Sequence, residues 1–140
     1  MSRIFWDTNL FIYLFEDSGA FSKEVVRLRQ RMLERGDELY TSTMTLGEVL
    51  VKPLEKEDDD LRMRYLQAIT QQSRLLSFDA ATALRYAEIR RDRRIKPPDA
   101  IQLACAAQAQ TNLFVTNDDR LNNKKIAGID FIVSIQHVRI

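Results

Sequence analysis

The sequence contains one cysteine, Cys105, so no internal disulfide can form and a reducing compartment is implied. It contains one histidine, His137, close to the end. Without a Cys/His cluster there is no zinc site to build, and no Cys–His pair for nucleophilic catalysis. Cys105 falls on a helix-core spacing and reads as a packed thiol. Only 4 glycines occur, at positions 19, 36, 47 and 128, and none sits in a loop that could cradle phosphates. Nucleotide binding of the glycine-rich type is therefore disfavoured. No apolar run approaches the ~20 residues that cross a bilayer. Met1-Ser2-Arg3 leads at once into a short apolar segment and the charge of Asp7, unlike a secretory signal. The chain reads as cytoplasmic, with no membrane partner. A large charge of one sign is also missing: 21 Lys and Arg face 20 Asp and Glu, a net charge of +1. Wholesale polyanion binding is not written in that sum.

What is present is ordinary for a globular chain: 140 residues, 45% hydrophobic and 29% charged. That length buries a sizeable core without staples, and with no repeat or linker it reads as one domain over 1–140. Ile4-Phe5-Trp6, Leu39-Tyr40-Thr41, Leu75 to Phe78, Leu113-Phe114-Val115 and Phe131-Ile132-Val133 are short, apolar and suited to buried strands. Between them lie helical signals. Phe21, Val25, Leu28 and Met32 form a stripe that Gly36 closes. Met44 to Leu54 reads as a short helix, and Asp58 to Asp60 open another. Asp79 can cap a helix with the stripe Ala80, Ala83, Leu84 and Ala87, and Pro97-Pro98 open a last one, whose core face begins Ile101, Ala104, Cys105. Strands alternating with helices imply an α/β fold on a largely parallel sheet, with ligands beyond the carboxyl ends of the strands.

Four acidic residues fall at that edge. Asp7 and Asp118 follow the first and fourth strands, Glu48 lies on the helix after the second, and Asp99 is in the first turn of the Pro97-Pro98 helix. Carboxylates gathered in one concavity repel unless a cation or proton offsets them. Oxygen-only ligands select hard cations such as Mg²⁺ or Mn²⁺, which activate water in phosphodiester cleavage. Each acid also has a purely structural reading. Asp7 can cap a helix, and Thr45-Leu46-Gly47-Glu48 matches a capping box. Asp99 can favour a helix start, and Asp118 can form a turn beside Asn117 and Asp119. Residues 85–96 are locally basic, and Arg90, Arg91, Arg93, Arg94 and Lys96 are the first candidates for phosphate contacts; a solvated face is the alternative.

Asp7-Thr8-Asn9, Gly47-Glu48-Val49-Leu50, Pro98-Asp99-Ala100-Ile101-Gln102-Leu103-Ala104 and Val115-Thr116-Asn117-Asp118, in that order, resemble a PIN-domain ribonuclease. The overall form resembles the toxin half, of VapC type, of toxin–antitoxin pairs, over nearly the whole chain. The resemblance implies a three-layer α/β/α sandwich with a parallel five-stranded sheet. It implies a Mg²⁺- or Mn²⁺-dependent endoribonuclease with Asp7, Glu48, Asp99 and Asp118 as its acidic quartet. Thr8 and Asn9 would support the first acid, and Thr116 would orient groups near the metal. An RNA substrate, a cognate antitoxin and a homodimer are the implied partners. One position departs from the pattern. Where many relatives carry a second acid followed by Phe, this chain has Arg120 and Leu121, with Asp119 able to share the role of Asp118. Arg120 is either a further phosphate contact or a solvated loop arginine. Two other functions compete. One is a non-catalytic PIN-like RNA-binding or scaffold protein. The other is a phospho-acceptor module using Asp7, Asp79 and Thr116, which requires Asp79 to stand in the acidic pocket rather than to cap a helix.

Overall fold

The computed structural model describes residues 1–17 and 19–140. Its elements run β1 (Arg3–Trp6), α1 (Thr8–Phe15), α2 (Ala20–Arg35), β2 (Glu38–Ser42), α3 (Thr43–Glu55), α4 (Asp59–Gln72), β3 (Arg74–Leu76), α5 (Ala80–Ile89), α6 (Pro97–Gln108), β4 (Leu113–Thr116) and β5 (Phe131–Ser134). Single 3₁₀ turns follow at Asp119–Leu121 and Ile135–His137. The five strands form one sheet in the order β3-β2-β1-β4-β5, every neighbouring pair parallel.

Alternation along the strands splits the core in two. Ile4, Trp6, Leu39 and Val115 join Leu10, Phe11, Val25, Leu28, Met32, Val49 and Ile69, which come from α1 to α4. Phe5, Tyr40, Phe114 and Ile132 join α5, α6 and the segment holding Leu121 and Ile129. Phe5 stacks on Phe114 across the β1–β4 pair, ring centroids 5.1 Å apart. The chain is thus the expected three-layer α/β/α sandwich, and the winding explains the layers. β1 to β2 to β3 moves one way across the sheet, and right-handed crossovers put α1–α4 on one face. The chain then steps back past β1 to β4, so the same handedness sends α5 and α6 to the other face.

Five local readings change. On α5 the buried residues are Thr82 and Ile89, while Leu84 of the expected stripe is exposed. The third strand ends at Leu76, and Phe78 is 44% exposed beyond it. Helix α1, Thr-Asn-Leu-Phe-Ile-Tyr-Leu-Phe, has too few polar residues to show a helical period, and the sequence passes over it. The α6 face does not begin at Ile101: Ala100 and all of Gln102 to Ala107 are buried, the helix being enclosed on nearly every side. α3 starts one residue before Met44, with Ser42 as its N-cap.

Candidate active site

Asp7 sits at the topological switch point. β1 and β4 are neighbours in the sheet but are separated in the chain by both other β1-side strands, so the connections leave their carboxyl ends towards opposite faces, the place where open α/β sheets form a ligand crevice. The Asp7 N–H still bonds Val115 O at 3.0 Å, which carries the strand pairing up to the crevice. There Asp7 caps α1. Its Oδ1 accepts from Thr8 N at 2.7 Å and its Oδ2 from Thr116 Oγ1 at 2.9 Å. Thr116 Oγ1 in turn accepts from Asp118 N at 3.1 Å, so one hydroxyl joins the acids after β1 and β4.

Burial dominates the Asp7 carboxyl. It is 9% exposed, and desolvation pushes it from 3.8 up to about 6, against the two hydrogen bonds that favour its charge and with the help of the Asp99 and Glu48 charges. Asp99, in the first turn of α6, is raised too, first by burial and then by the Asp118 charge, against the Arg120 and Lys96 charges and with a smaller push from Glu48. These mutual effects place the quartet in one field, although the residues span the chain from 7 to 118. Among the described residues no ion pair involves Asp7, Glu48 or Asp99.

Glu48 is not part of a capping box. With Ser42 as the N-cap, Glu48 lies in the second turn of α3, and its Oε1 accepts from Thr8 Oγ1 at 2.7 Å. Thr8 therefore holds two acids, Asp7 through its amide and Glu48 through its hydroxyl. Asp118 does form a turn: it caps the 3₁₀ turn that follows, and Arg120 grips it from both Nε, 3.0 Å, and Nη2, 2.8 Å. That pair holds Asp118 below the usual carboxylate range. Arg120 is a solvated loop arginine, its side chain 70% exposed, that is at the same time paired with Asp118, and Asp119 begins the turn itself. Asn9 reaches Asn117 Oδ1 at 3.1 Å, and Asn117 donates to Tyr13 at 3.0 Å, which ties α1 to the end of β4. Asp79 stands apart. It caps α5 by accepting from Thr82 N and Oγ1, which lower it, and so the phospho-acceptor arrangement is absent.

The basic candidates divide. Arg90 Nη1 donates to Ile95 O at 2.6 Å, and Arg94 pairs with Asp92. Arg91 and Arg93 line a cleft of about 750 Å³ whose other wall carries Lys124 and Lys125. The sequence does not mark those two lysines, which lie far from the 85–96 cluster along the chain. Lys124 holds Asp92 at 2.9 Å, which offsets one of the two acids lining the cleft, Glu88 being the other. Lys96 adjoins this cleft through Ile95, and its charge acts on Asp99.

A hard divalent cation fits this donor set in chemistry and charge: the donors are carboxylates, three have no ion-pair partner among the described residues, and Asp7 and Asp99 are raised by burial and by neighbouring carboxylates. As the side chains stand, no three His, Cys, Asp or Glu among the described residues are arranged to hold an ion. Asp118 is engaged by Arg120 and Glu48 by Thr8.

The PIN domain family model matches residues 4–127. The chain belongs to the PIN domain family. Among solved structures, this PIN domain is similar to a VapBC2 structure from Rickettsia felis bound to a promoter DNA fragment. The TM-score is 0.73 at 15% identity, covering 94% of this chain and 98% of that one. A toxin–antitoxin complex from Klebsiella pneumoniae follows at TM-score 0.65 and 25% identity, covering 90% and 94%. VapC20 of Mycobacterium tuberculosis, a toxin that cleaves the sarcin–ricin loop, matches at TM-score 0.59 and 17% identity, covering 79% and 86%. No curated protein matches the sequence. The five-stranded parallel sheet and its helices are thus those of the VapC toxin structures, and no described helix is long and apolar enough to cross a membrane.

Proposed function

We propose that this PIN domain is a Mg²⁺- or Mn²⁺-dependent endoribonuclease and the toxin of a toxin–antitoxin pair. One observation carries the reading: at the switch point Thr8 links Asp7 to Glu48 and Thr116 links Asp7 to Asp118, the Asp99 charge acts on Asp7, and among the described residues Asp7, Glu48 and Asp99 have no ion-pair partner. Asp7, Asp99, Glu48 and Asp118 would hold the ion, Asp118 after leaving Arg120. When bound, such an ion supplies an activated water and offsets charge on the phosphodiester.

The chain's own residues supply the frame. Thr8 N and Thr116 Oγ1 fix both oxygens of Asp7, so that it cannot swing away. The cleft between Arg91, Arg93, Lys124 and Lys125 would give the RNA backbone cationic contacts. A cognate antitoxin and a second copy of the chain complete the set of partners. The solved complexes of similar fold, toxins with their antitoxins among them, support that reading.

The test is cleavage of a labelled RNA with Mg²⁺ or Mn²⁺ and with chelator. Cleavage is expected only with the ion, and Asp7→Asn and Asp99→Asn should each lose at least about 100-fold, since a neutral amide is a poor ligand for a hard cation. Full activity in chelator, or an unimpaired Asp99→Asn, removes the metal reading. The Asp118–Arg120 pair favours one alternative, a PIN-like protein that binds RNA without cutting it. Retained RNA binding with no turnover under any ion would establish it.

A further inference from the structure

Behind the acids lies a chain of buried polar groups centred on Gln102, which is 2% exposed on a helix otherwise packed with Ala and Leu. A buried amide in such a place is costly unless all its groups are paired. Here they are. Gln102 Nε2 is 3.0 Å from Thr8 Oγ1 and 2.8 Å from Thr45 Oγ1, and Ser42 Oγ donates to Gln102 Oε1.

We propose that Gln102 is a positioning residue for the acidic site: its amide commits the single proton of the Thr8 hydroxyl to Glu48. The inference rests on the metal-dependent reading above. It follows from counting protons. An amide nitrogen only donates, so Thr8 Oγ1 must accept from Gln102. Its own proton is then free for one acceptor, and Glu48 Oε1 lies 2.7 Å away. Thr45 Oγ1, 3.2 Å from Thr8, could compete for it. Gln102 gives its second N–H to Thr45, which fills one of that oxygen's two lone pairs. Thr41 Oγ1, 2.8 Å away, donates its proton to the other or to the Trp6 carbonyl, 2.9 Å away. Where it donates to Thr45, that oxygen is filled and turns its own proton to Thr8, 3.2 Å away; where it donates to Trp6, the Thr8 proton still has Glu48 as its one charged acceptor. Turning the amide over would reverse the outcome. The carbonyl would then face both threonine hydroxyls, draw the Thr8 proton to itself and leave Glu48 facing a lone pair. The Ser42 donor and the Glu48 charge select the same amide orientation from opposite ends.

Glu48 is thereby aimed by a neutral donor, with no ion-paired cation that a divalent ion would have to displace. Asp118, gripped by Arg120, is handled in the opposite way.

The experiment measures the Mn²⁺ dissociation constant by electron paramagnetic resonance of the free ion, beside the melting temperature in chelator. It uses wild type, Gln102→Met, Thr8→Val and the double variant. Gln102→Met should raise the dissociation constant about 10-fold, the usual scale for an outer partner of a ligand. Thr8→Val should do the same, and the double variant should be no worse than Thr8→Val alone. Ser42→Gly, which frees the amide to turn and keeps a residue tolerated at the α3 N-cap, should move binding in the same direction and guards against a Gln102→Met that does not fold. A folded Gln102→Met that melts lower yet binds Mn²⁺ like wild type, or losses that add in the double variant, overturns the positioning role. A wild type that binds no Mn²⁺ overturns the metal reading and this inference with it.

Discussion

Asp7 shows how opposed forces settle at a single residue. Two hydrogen bonds, from Thr8 N and Thr116 Oγ1, favour its charge, while burial and two neighbouring acids oppose it, and burial wins. The consequence is a pH-dependent penalty with a definite sign. Below the unfolded value of 3.8 the group is protonated in both states and costs nothing. As pH rises from 3.8 to about 6 the folded state holds a proton that the unfolded state has lost, so stability falls across that window. Above it the full penalty, about 3 kcal/mol, is in place. Asp7→Asn should therefore be more stable than wild type by about 1–3 kcal/mol at about pH 8 in chelator, with the difference fading towards about pH 4. Asparagine can keep both contacts, its carbonyl accepting from Thr8 N and its amide donating to Thr116 Oγ1. Urea denaturation across that range measures it, and an Asp7→Asn that is the less stable protein at the alkaline end contradicts it. The sequence marks Asp7 by its place after a strand. It cannot mark the Thr116 contact, which joins residues 109 positions apart only once β1 and β4 pair.

Elements differ in how openly the sequence states them. The buried strands are bulky and apolar on both faces, and Ile4-Phe5-Trp6 and Leu113-Phe114-Val115 lie where that pattern puts them. α2 shows its stripe because one face is wet: Val25, Leu28 and Met32 are buried while Val26 and Leu33 are exposed. α1 is less legible because it is short and mostly apolar, although Ile12 to Phe15 are only partly buried. α6 is less legible because it is enclosed, and an enclosed helix has no polar face to mark its period. For the same reason Gln102 escapes a reading by stripes. Its signal is a lone polar side chain within the apolar run from Ala100 to Ala107. The cleft between the 90–96 loop and Lys124-Lys125 is a product of packing, since its two walls meet only in the fold. It should govern RNA affinity rather than chemistry. Neutralising Arg91, Arg93, Lys124 and Lys125 should weaken binding and flatten its salt dependence. On a single strand the log–log slope should fall by about 0.7 for each phosphate that the protein ceases to neutralise. The single-turnover rate at saturating RNA should stay close to that of wild type. Fluorescence anisotropy at several salt concentrations reads the slope, and an unchanged slope returns these side chains to solvation alone.

For the whole molecule, the decisive fact is the strand order. A reading of alternating strands and helices supplies the parallel sheet, but the reversal between β1 and β4 is set by how the crossovers wind. That reversal gathers acids from the ends of β1 and β4, from α3 and from α6 into one crevice, so a fold that is stable as a sandwich carries a local concentration of negative charge. The cost falls on global stability, and an ion that binds only the folded arrangement should return it by mass action. With a dissociation constant of about 1 mM, about 10 mM Mn²⁺ contributes ~1.4 kcal/mol. For a chain of this size that is a rise of roughly 3–6 °C in melting temperature. Asp99→Asn should melt above wild type in chelator, because it removes one raised carboxylate from the cluster, and should lose the Mn²⁺ shift. The structural reading of Asp99 gives the reverse sign, since losing a negative charge in the first turn of α6 destabilises the helix slightly and leaves the ion without effect. Four thermal melts separate the two, wild type and Asp99→Asn, each in chelator and in Mn²⁺. If the variant melts below wild type in chelator and neither protein responds to Mn²⁺, the crevice is a set of helix caps and turns that happen to share an edge of the sheet.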